Sequence, residues 1–330
     1  MPAERQDVPE QPEPPGSRQP DLRGTAVNRR GLSLAVFLVL AFGLAWLTAS
    51  PLWLLDTAGL PAEATALLAT GVSAAMMLTP GLAAFVAARW VERHRGRALV
   101  ARLRLGGRGG FRQIAVWTLG FAAVIIALCL VTAVVAIGFG AITPDWTFSA
   151  LEAQAEGAMP GWVLFALTAA SIPIAALVPN ALLAAGEEIG WRGYLTPVLA
   201  PLGRPATIVL GGVIWGLWHA PVVMLGHNFG LYGLPGVGLM IVGCIVLGAL
   251  FIEVTERTSS VWPAVVGHGA FNAAAGIGLA VQSAEVPPDL VIANPLGIAG
   301  WIVFGAAGLG WLLLARLGSS HGRTPRTERP

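Results

Sequence analysis

Residues Leu32 to Leu55 read LSLAVFLVLAFGLAWLTASPLWLL, a run of 24 residues without a charge. A helix rises about 1.5 Å per residue and the hydrocarbon core of a bilayer is roughly 30 Å thick, so about 20 apolar residues cross it. The run is therefore read as a transmembrane helix. It is too long, and the charged segment before it too extended, for a cleaved signal peptide. Seven more runs of this kind follow, and the expected crossings are 33–55, 64–88, 114–142, 161–186, 206–225, 235–252, 261–282 and 290–315. The composition agrees: of 330 residues 55% are hydrophobic and 12% charged, with a mean hydropathy of +0.70. A soluble domain carries about a quarter of its residues charged. Intrinsic disorder, a secreted disulfide scaffold and a cytosolic enzyme are excluded by the same composition. The expected fold class is all-α, a polytopic membrane helix bundle of about eight transmembrane helices.

Arginine sets the orientation. Arg23, Arg29 and Arg30 precede the first crossing, and eight arginines lie between the second and third. Arg192 and Arg204 follow the fourth, Arg257 the sixth and Arg316 the eighth. If all eight helices cross, every one of these segments faces the same side, whereas the opposite loops hold Asp56, Glu63, Asp145, Glu152, Glu156, Glu285 and Asp289 and no arginine. By the positive-inside rule the chain is a multi-pass protein of the cell membrane with both termini in the cytoplasm. The segments read as follows: 1–30 a disordered, proline-rich cytoplasmic tail, 31–160 the N-terminal transmembrane helices with a basic cytoplasmic loop at 89–112, 161–285 a polar-bearing membrane core, 286–318 the last transmembrane helix, and 319–330 a second cytoplasmic tail. Cys129 and Cys244 sit in apolar runs as small hydrophobes, with no disulfide or cysteine metal site expected. There is no internal repeat of the kind inverted-repeat transporters show.

Ionisable groups at the bilayer centre cost about 2.5 to 3.5 kcal/mol each on insertion scales, so each requires an explanation. Three segments hold most of them: Gly186-Glu187-Glu188-Ile189-Gly190-Trp191-Arg192, Trp215-Gly216-Leu217-Trp218-His219-Ala220-Pro221, and His268-Gly269-Ala270-Phe271-Asn272. Glu188 and Arg192 stand at i and i+4, where a helix lets them pair. Glu187 points about 100° away and lacks that partner, which makes it a candidate base. His268 and Asn272 are also four apart and share a face. Each segment alone has a plain structural explanation: a solvated helix end for the first, a hydrogen-bonded core histidine for the second, a packing pair between helices for the third. Together they supply a base, a residue to orient water, and donors for an oxyanion. His94, His227 and His321 receive no role, and Trp191, Trp215, Trp218, Trp262 and Trp301 are read as interfacial or packing residues.

The three motifs, in this order on successive membrane segments, resemble those of the CPBP family of intramembrane proteases, also called the Abi or CAAX protease family, to which the Ras-converting CAAX endopeptidase is related. Its Glu-Glu-x-x-x-Arg pattern falls on Glu187, Glu188 and Arg192, its aromatic-x-x-x-His pattern on Trp215 and His219, and its His-x-x-x-Asn pattern on His268 and Asn272. The resemblance covers residues 161–285. It implies a membrane endopeptidase in which Glu187 and His219 activate water, His268 and Asn272 stabilise the oxyanion, and Glu188 and Arg192 support them. The implied partners are the lipid bilayer and a peptide or membrane-protein substrate, with no nucleic acid. No cofactor is favoured. Zinc is the alternative, held by Glu187, His219 and His268, although no His-Glu-x-x-His run marks a metal site. Asn272, a poor zinc ligand and a good amide donor, favours the glutamic reading. A transporter, or a catalytically silent scaffold or immunity protein, would use the same polar cluster differently.

Counted from the arginine-bearing ends at about 1.5 Å per residue, His268 lies about 10 Å deep, His219 about 20 Å, and Glu187 near the surface. Helices must tilt, kink or re-enter to bring them together, and Pro173, Pro179, Gly211-Gly212 and Pro221 are the candidate sites. The topology is open to direct measurement. Reporter fusions after residues 60, 150, 230 and 287 are expected on the external side, and those after 100, 203, 257 and 320 in the cytoplasm. A cytoplasmic signal at 150 would remove the fourth crossing.

Overall fold

In hydrocarbon no water is present to satisfy backbone N–H and C=O groups, so an apolar run bonds within itself as a helix. The computed structural model describes residues 22–54 and 61–321, and among these the chain is helical with no strand. α1 spans Leu22–Ala49. α2, Ala62–Val86, ends in a wider π turn at Ala87–Val91. The short α3, Gly96–Arg102, the long α4, Gly110–Gly138, and the short α5, Ser149–Gln154, lead to α6, Gly161–Ala175. The leg that follows is the least regular. A π turn at Ala176–Asn180 precedes α7, Ala181–Glu188, and a second at Ile189–Leu195 precedes α8, Thr196–Leu199, and a tight turn at Ala200–Leu202. The remainder comprises α9, Arg204–Trp218, the one-turn α10, Ala220–Val223, α11, Leu234–Thr258, α12, Trp262–Ala274, the short α13, Leu290–Ala293, and α14, Ile298–His321.

Seven helical stretches among the described residues are long and apolar enough to cross a membrane. They correspond to seven of the eight expected crossings. The fifth, 206–225, is divided at His219 between α9 and α10. α9 has 15 residues, or about 22 Å, short of a full crossing at about 1.5 Å per residue. Its neighbours nevertheless fix its depth. Pro201, just before it, lines the same cleft as Arg29 and Arg30 of α1. At the other end Trp53, past the end of α1, donates its Nε1–H to the Pro221 carbonyl at 3.1 Å. The α9–α10 leg thus runs beside α1 from its arginine end to its tryptophan end. Arg204 and Arg257 both pair with Glu253, the latter at 2.8 Å, which ties the start of α9 to the end of α11.

Both tails differ from expectation at their inner ends. α1 begins at Leu22 and α14 continues to His321, so helix extends into the segments read as 1–30 and 319–330 tails; helical bonding propagates past the apolar run at one bond per residue. The rest of both tails, 1–21 and 322–330, lies outside the described residues. α4 packs on α12, α2 on α7, and α9 on α11, so the 31–160 and 161–285 segments form one bundle.

Two pairs of glycines set how closely these helices meet. A Cβ on Gly212 would stand 2.5 Å from Ile245 Cα, and one on Gly216 2.5 Å from Ile241 Cα, so α9 lies against the backbone of α11. A Cβ on Gly186 would likewise meet α2 at Leu78 Cα, 2.7 Å away, and one on Gly190 would meet the Pro80 backbone. Small residues four apart permit such approach. Gly216→Ala is expected to cost about 1 to 3 kcal/mol by overpacking, read as a lower thermal midpoint in detergent. Gly211→Ala, with no atom within 4 Å, should leave the midpoint unchanged; equal effects would refute the close approach.

Candidate active site

The first motif straddles the end of α7 and the π turn after it. The expectation that Glu187 lies near the surface is overturned, because helical structure does not stop at residue 186 but continues to Leu202. Glu187 is about 22 Å from that end, and His219 about 22 Å from Arg204, at about 1.5 Å per residue. Their depths match without re-entry. Of the four candidate kink sites, Pro179 lies in the π turn next to the non-helical Val178 (φ −149°, ψ 119°) and Pro221 stands where α9 gives way to α10. Pro173 lies inside α6, and Gly211-Gly212 inside α9, where Gly212 serves close packing instead of bending.

Glu187, Glu188 and Arg192 are 1%, 0% and 2% exposed. Burying such groups requires partners. Glu188 Oε1 accepts from Arg192 Nη1 at 2.9 Å, as the i, i+4 spacing predicts, and from His268 Nδ1 on α12 at 2.8 Å. Among the described residues Glu187 has no such ion pair but is not alone: Trp215 Nε1–H donates to its Oε2 at 2.6 Å. The Trp215 carbonyl accepts from His219 Nδ1 at 2.8 Å. Its ring lies 4.1 Å below the Arg192 guanidinium carbon, with Phe251 5.0 Å from the same group. A planar cation over aromatic faces is stabilised where water is absent.

Trp215, expected as an interfacial or packing residue, is buried in the core and does more than pack. It binds Glu187, orients His219 and covers Arg192. The signal was available in the sequence: Trp215 and His219 are four apart on one helix, so they share a face.

A carbonyl can only accept, so His219 Nδ1 carries the proton and the neutral ring keeps its lone pair on Nε2. His268 likewise donates from Nδ1 to a carboxylate. Among the described residues the Asn272 amide makes no hydrogen bond, and it lies one turn beyond His268 on α12. One cavity, of about 280 Å³, is lined by Glu187, His219, His268 and Asn272 together. All four candidate catalytic residues meet there, while Glu188 and Arg192 stand behind the wall. His227, given no role from sequence, also lines it, with Asn228, Asn294 and Ser73. The Asn294 amide holds the Asn228 carbonyl at 2.9 Å. No spacing rule connects these residues, which come from separate loops and α2.

Among the described residues no three His, Cys, Asp or Glu side chains are grouped to hold a metal ion, Glu187, His219 and His268 included.

Removing Glu188's charge leaves Arg192 buried without its counter-ion. Glu188→Gln is therefore expected to cost about 3 to 5 kcal/mol, seen as a large fall in thermal midpoint, whereas Glu187→Gln should change it little. Equal midpoints for the two variants would refute this division.

Residues 160–274 match the protein-family model described as Rce1-like, Type II CAAX prenyl endopeptidase Rce1-like. Comparison with curated proteins found no match. The matched segment contains all three motifs, with Glu187, Glu188, Arg192, Trp215, His219, Phe251, His268 and Asn272, whereas Ser73 and Asn294 of the cavity wall lie outside it. In that segment the chain matches the Rce1-like type II CAAX prenyl endopeptidase family, in agreement with the CAAX protease resemblance that the motifs carry.

Proposed function

We propose that the chain is an intramembrane endopeptidase that hydrolyses peptide bonds of membrane-associated or CAAX-like substrates. The observation that carries this reading is the meeting of Glu187, His219, His268 and Asn272 on one cavity deep in a helix bundle. The family match over residues 160–274 supports it independently.

In this mechanism water sits between the Glu187 carboxylate and His219 Nε2. Glu187 takes its proton while His219 holds the oxygen by accepting from the second O–H. The hydroxide adds to the substrate carbonyl carbon, and the π pair moves to the carbonyl oxygen. Asn272 Nδ2–H and His268 Nε2–H donate to that oxyanion. Collapse breaks the C–N bond, and the proton held by Glu187 passes to the leaving nitrogen, giving an acid and an amine.

Charge balance favours these roles. Glu187, Glu188 and Arg192 sum to one negative charge, and a second proton on His268 makes the buried cluster neutral. That proton is the one His268 needs to donate from Nε2 while Nδ1 remains bonded to Glu188. Glu188 and Arg192 therefore position His268 without touching substrate. No metal enters this mechanism, and both termini lie on the cytoplasmic side.

The test is cleavage of a reporter peptide by the purified chain in detergent, where no gradient exists to drive transport. Glu187→Gln should abolish cleavage, since the amide keeps the shape and loses the proton acceptor. Asn272→Ala should slow it by about 10² to 10³, the usual loss for one oxyanion donor. Full activity in Glu187→Gln would sink the mechanism. Stoichiometric zinc, lost with activity in His219→Ala or His268→Ala and restored by added metal, would replace it with a zinc mechanism and leave the protease reading standing.

A further inference from the structure

A second cavity, of about 830 Å³, lies at the arginine-bearing end of the bundle. α1 contributes Arg29 and Arg30 to its wall, and α3 with the turn after it contributes Arg102 and Arg104. Glu92 is the one carboxylate among its described lining residues, and it is already engaged. Arg102 donates to it from Nε at 2.6 Å and Nη2 at 2.9 Å, and Ser33 Oγ at 3.0 Å. Burial pushes the Glu92 carboxyl upward, but Arg102 together with the Ser33 and Tyr194 hydroxyls outweighs it and holds the group below its ordinary range. Arg29, Arg30 and Arg104 have no ion pair among the described residues. Arg104 Nη1 is moreover buried with no hydrogen-bond acceptor. That nitrogen has no surface open to the cavity, so a ligand would meet Arg29, Arg30 and other atoms of Arg104, and an anionic oxygen is the partner guanidinium groups bind best.

His94 also lines it, with its Nε2 3.4 Å from Glu92 Oε2, and the rest of the wall is apolar, with Leu34, Pro197, Val198 and Pro201. Arg29 opens the first candidate membrane span and Leu202 closes the fourth. The cavity therefore sits where apolar helices give way to polar ends, at the level of lipid headgroups. Cations beside an apolar wall suit a phosphate joined to hydrocarbon. A free anion would satisfy the arginines and leave Leu34 and Val198 uncovered.

We infer that this cavity binds the phosphate headgroup of an anionic phospholipid, with an acyl chain leaving along Leu34 and Val198. The bound lipid bridges α1, α3 and the leg that carries Glu187. That leg is already linked to the cavity wall: Tyr194 and Ser33 hydroxyls are 2.5 Å apart, and the Arg102 guanidinium lies 4.3 Å above the Tyr194 ring. The inference does not depend on the protease reading.

The experiment uses the full chain in maltoside micelles, titrated with phosphatidylglycerol, phosphatidylcholine or inorganic phosphate, with thermal midpoint as the readout and native mass spectrometry to count retained lipid. A saturating rise with phosphatidylglycerol alone is expected. Arg29 and Arg30 are exposed on α1, two turns in from its start, so the R29Q/R30Q variant should fold. Removing two charges at this level should weaken the lipid response about thirtyfold. Arg112→Gln, outside the cavity, should leave it unchanged. An equal rise with inorganic phosphate would overturn the lipid in favour of a soluble phosphate. An equal rise with phosphatidylcholine, or a full response and full lipid retention in R29Q/R30Q, would overturn the site.

Discussion

Glu188 Oε1 accepts hydrogen bonds from both Arg192 and His268, so one carboxylate oxygen joins the end of α7, the π turn beyond it and α12. In water such a junction would be worth little, because each charge would be solvated separately. Inside a bundle of apolar helices the alternatives to pairing are several kcal/mol worse. The cluster therefore dictates much around it. Arg192 needs aromatic faces as well as a carboxylate, which Trp215 and Phe251 provide. Trp215, once placed there, has its indole N–H directed at Glu187 and its carbonyl at His219.

Such a junction forms only if the helices approach closely at matching depth. Glycine permits the first, since α9 meets the α11 backbone at Gly212 and Gly216, and α7 meets α2 at Gly186. Matching depth comes from the long, irregular leg between Gly161 and Leu202. The two π turns shift the register of that leg, and such single-turn widenings recur at functional sites in helices. The second of them holds Arg192, and Glu187 and Glu188 immediately precede it.

Much of the site was legible beforehand because its pairs are local. Glu188 and Arg192, His268 and Asn272, and Trp215 and His219 are each separated by four residues, and 3.6 residues per turn makes such pairs neighbours on any helix. The seven long apolar helices were legible for the same reason, since length and hydropathy set them before any packing. Pro221 signalled a break in the fifth crossing, but the exact division at His219 and the extension of the fourth crossing to Leu202 were not legible. Both depend on how polar helix ends are received by other parts of the chain, such as Glu253 receiving Arg204 and Trp53 reaching Pro221.

The sequence by itself determined that this chain is an α-helical membrane protein and which polar residues fall in or beside its apolar segments, because both follow from composition and local periodicity. Only the tertiary structure decided that Glu187 is buried and hydrogen-bonded to Trp215, that His268 pairs with Glu188 across 80 residues, and that His227 borders the same cavity. These contacts link residues far apart in the chain. No local spacing encodes them; they depend on where whole helices pack, at what depth, and with which face inward.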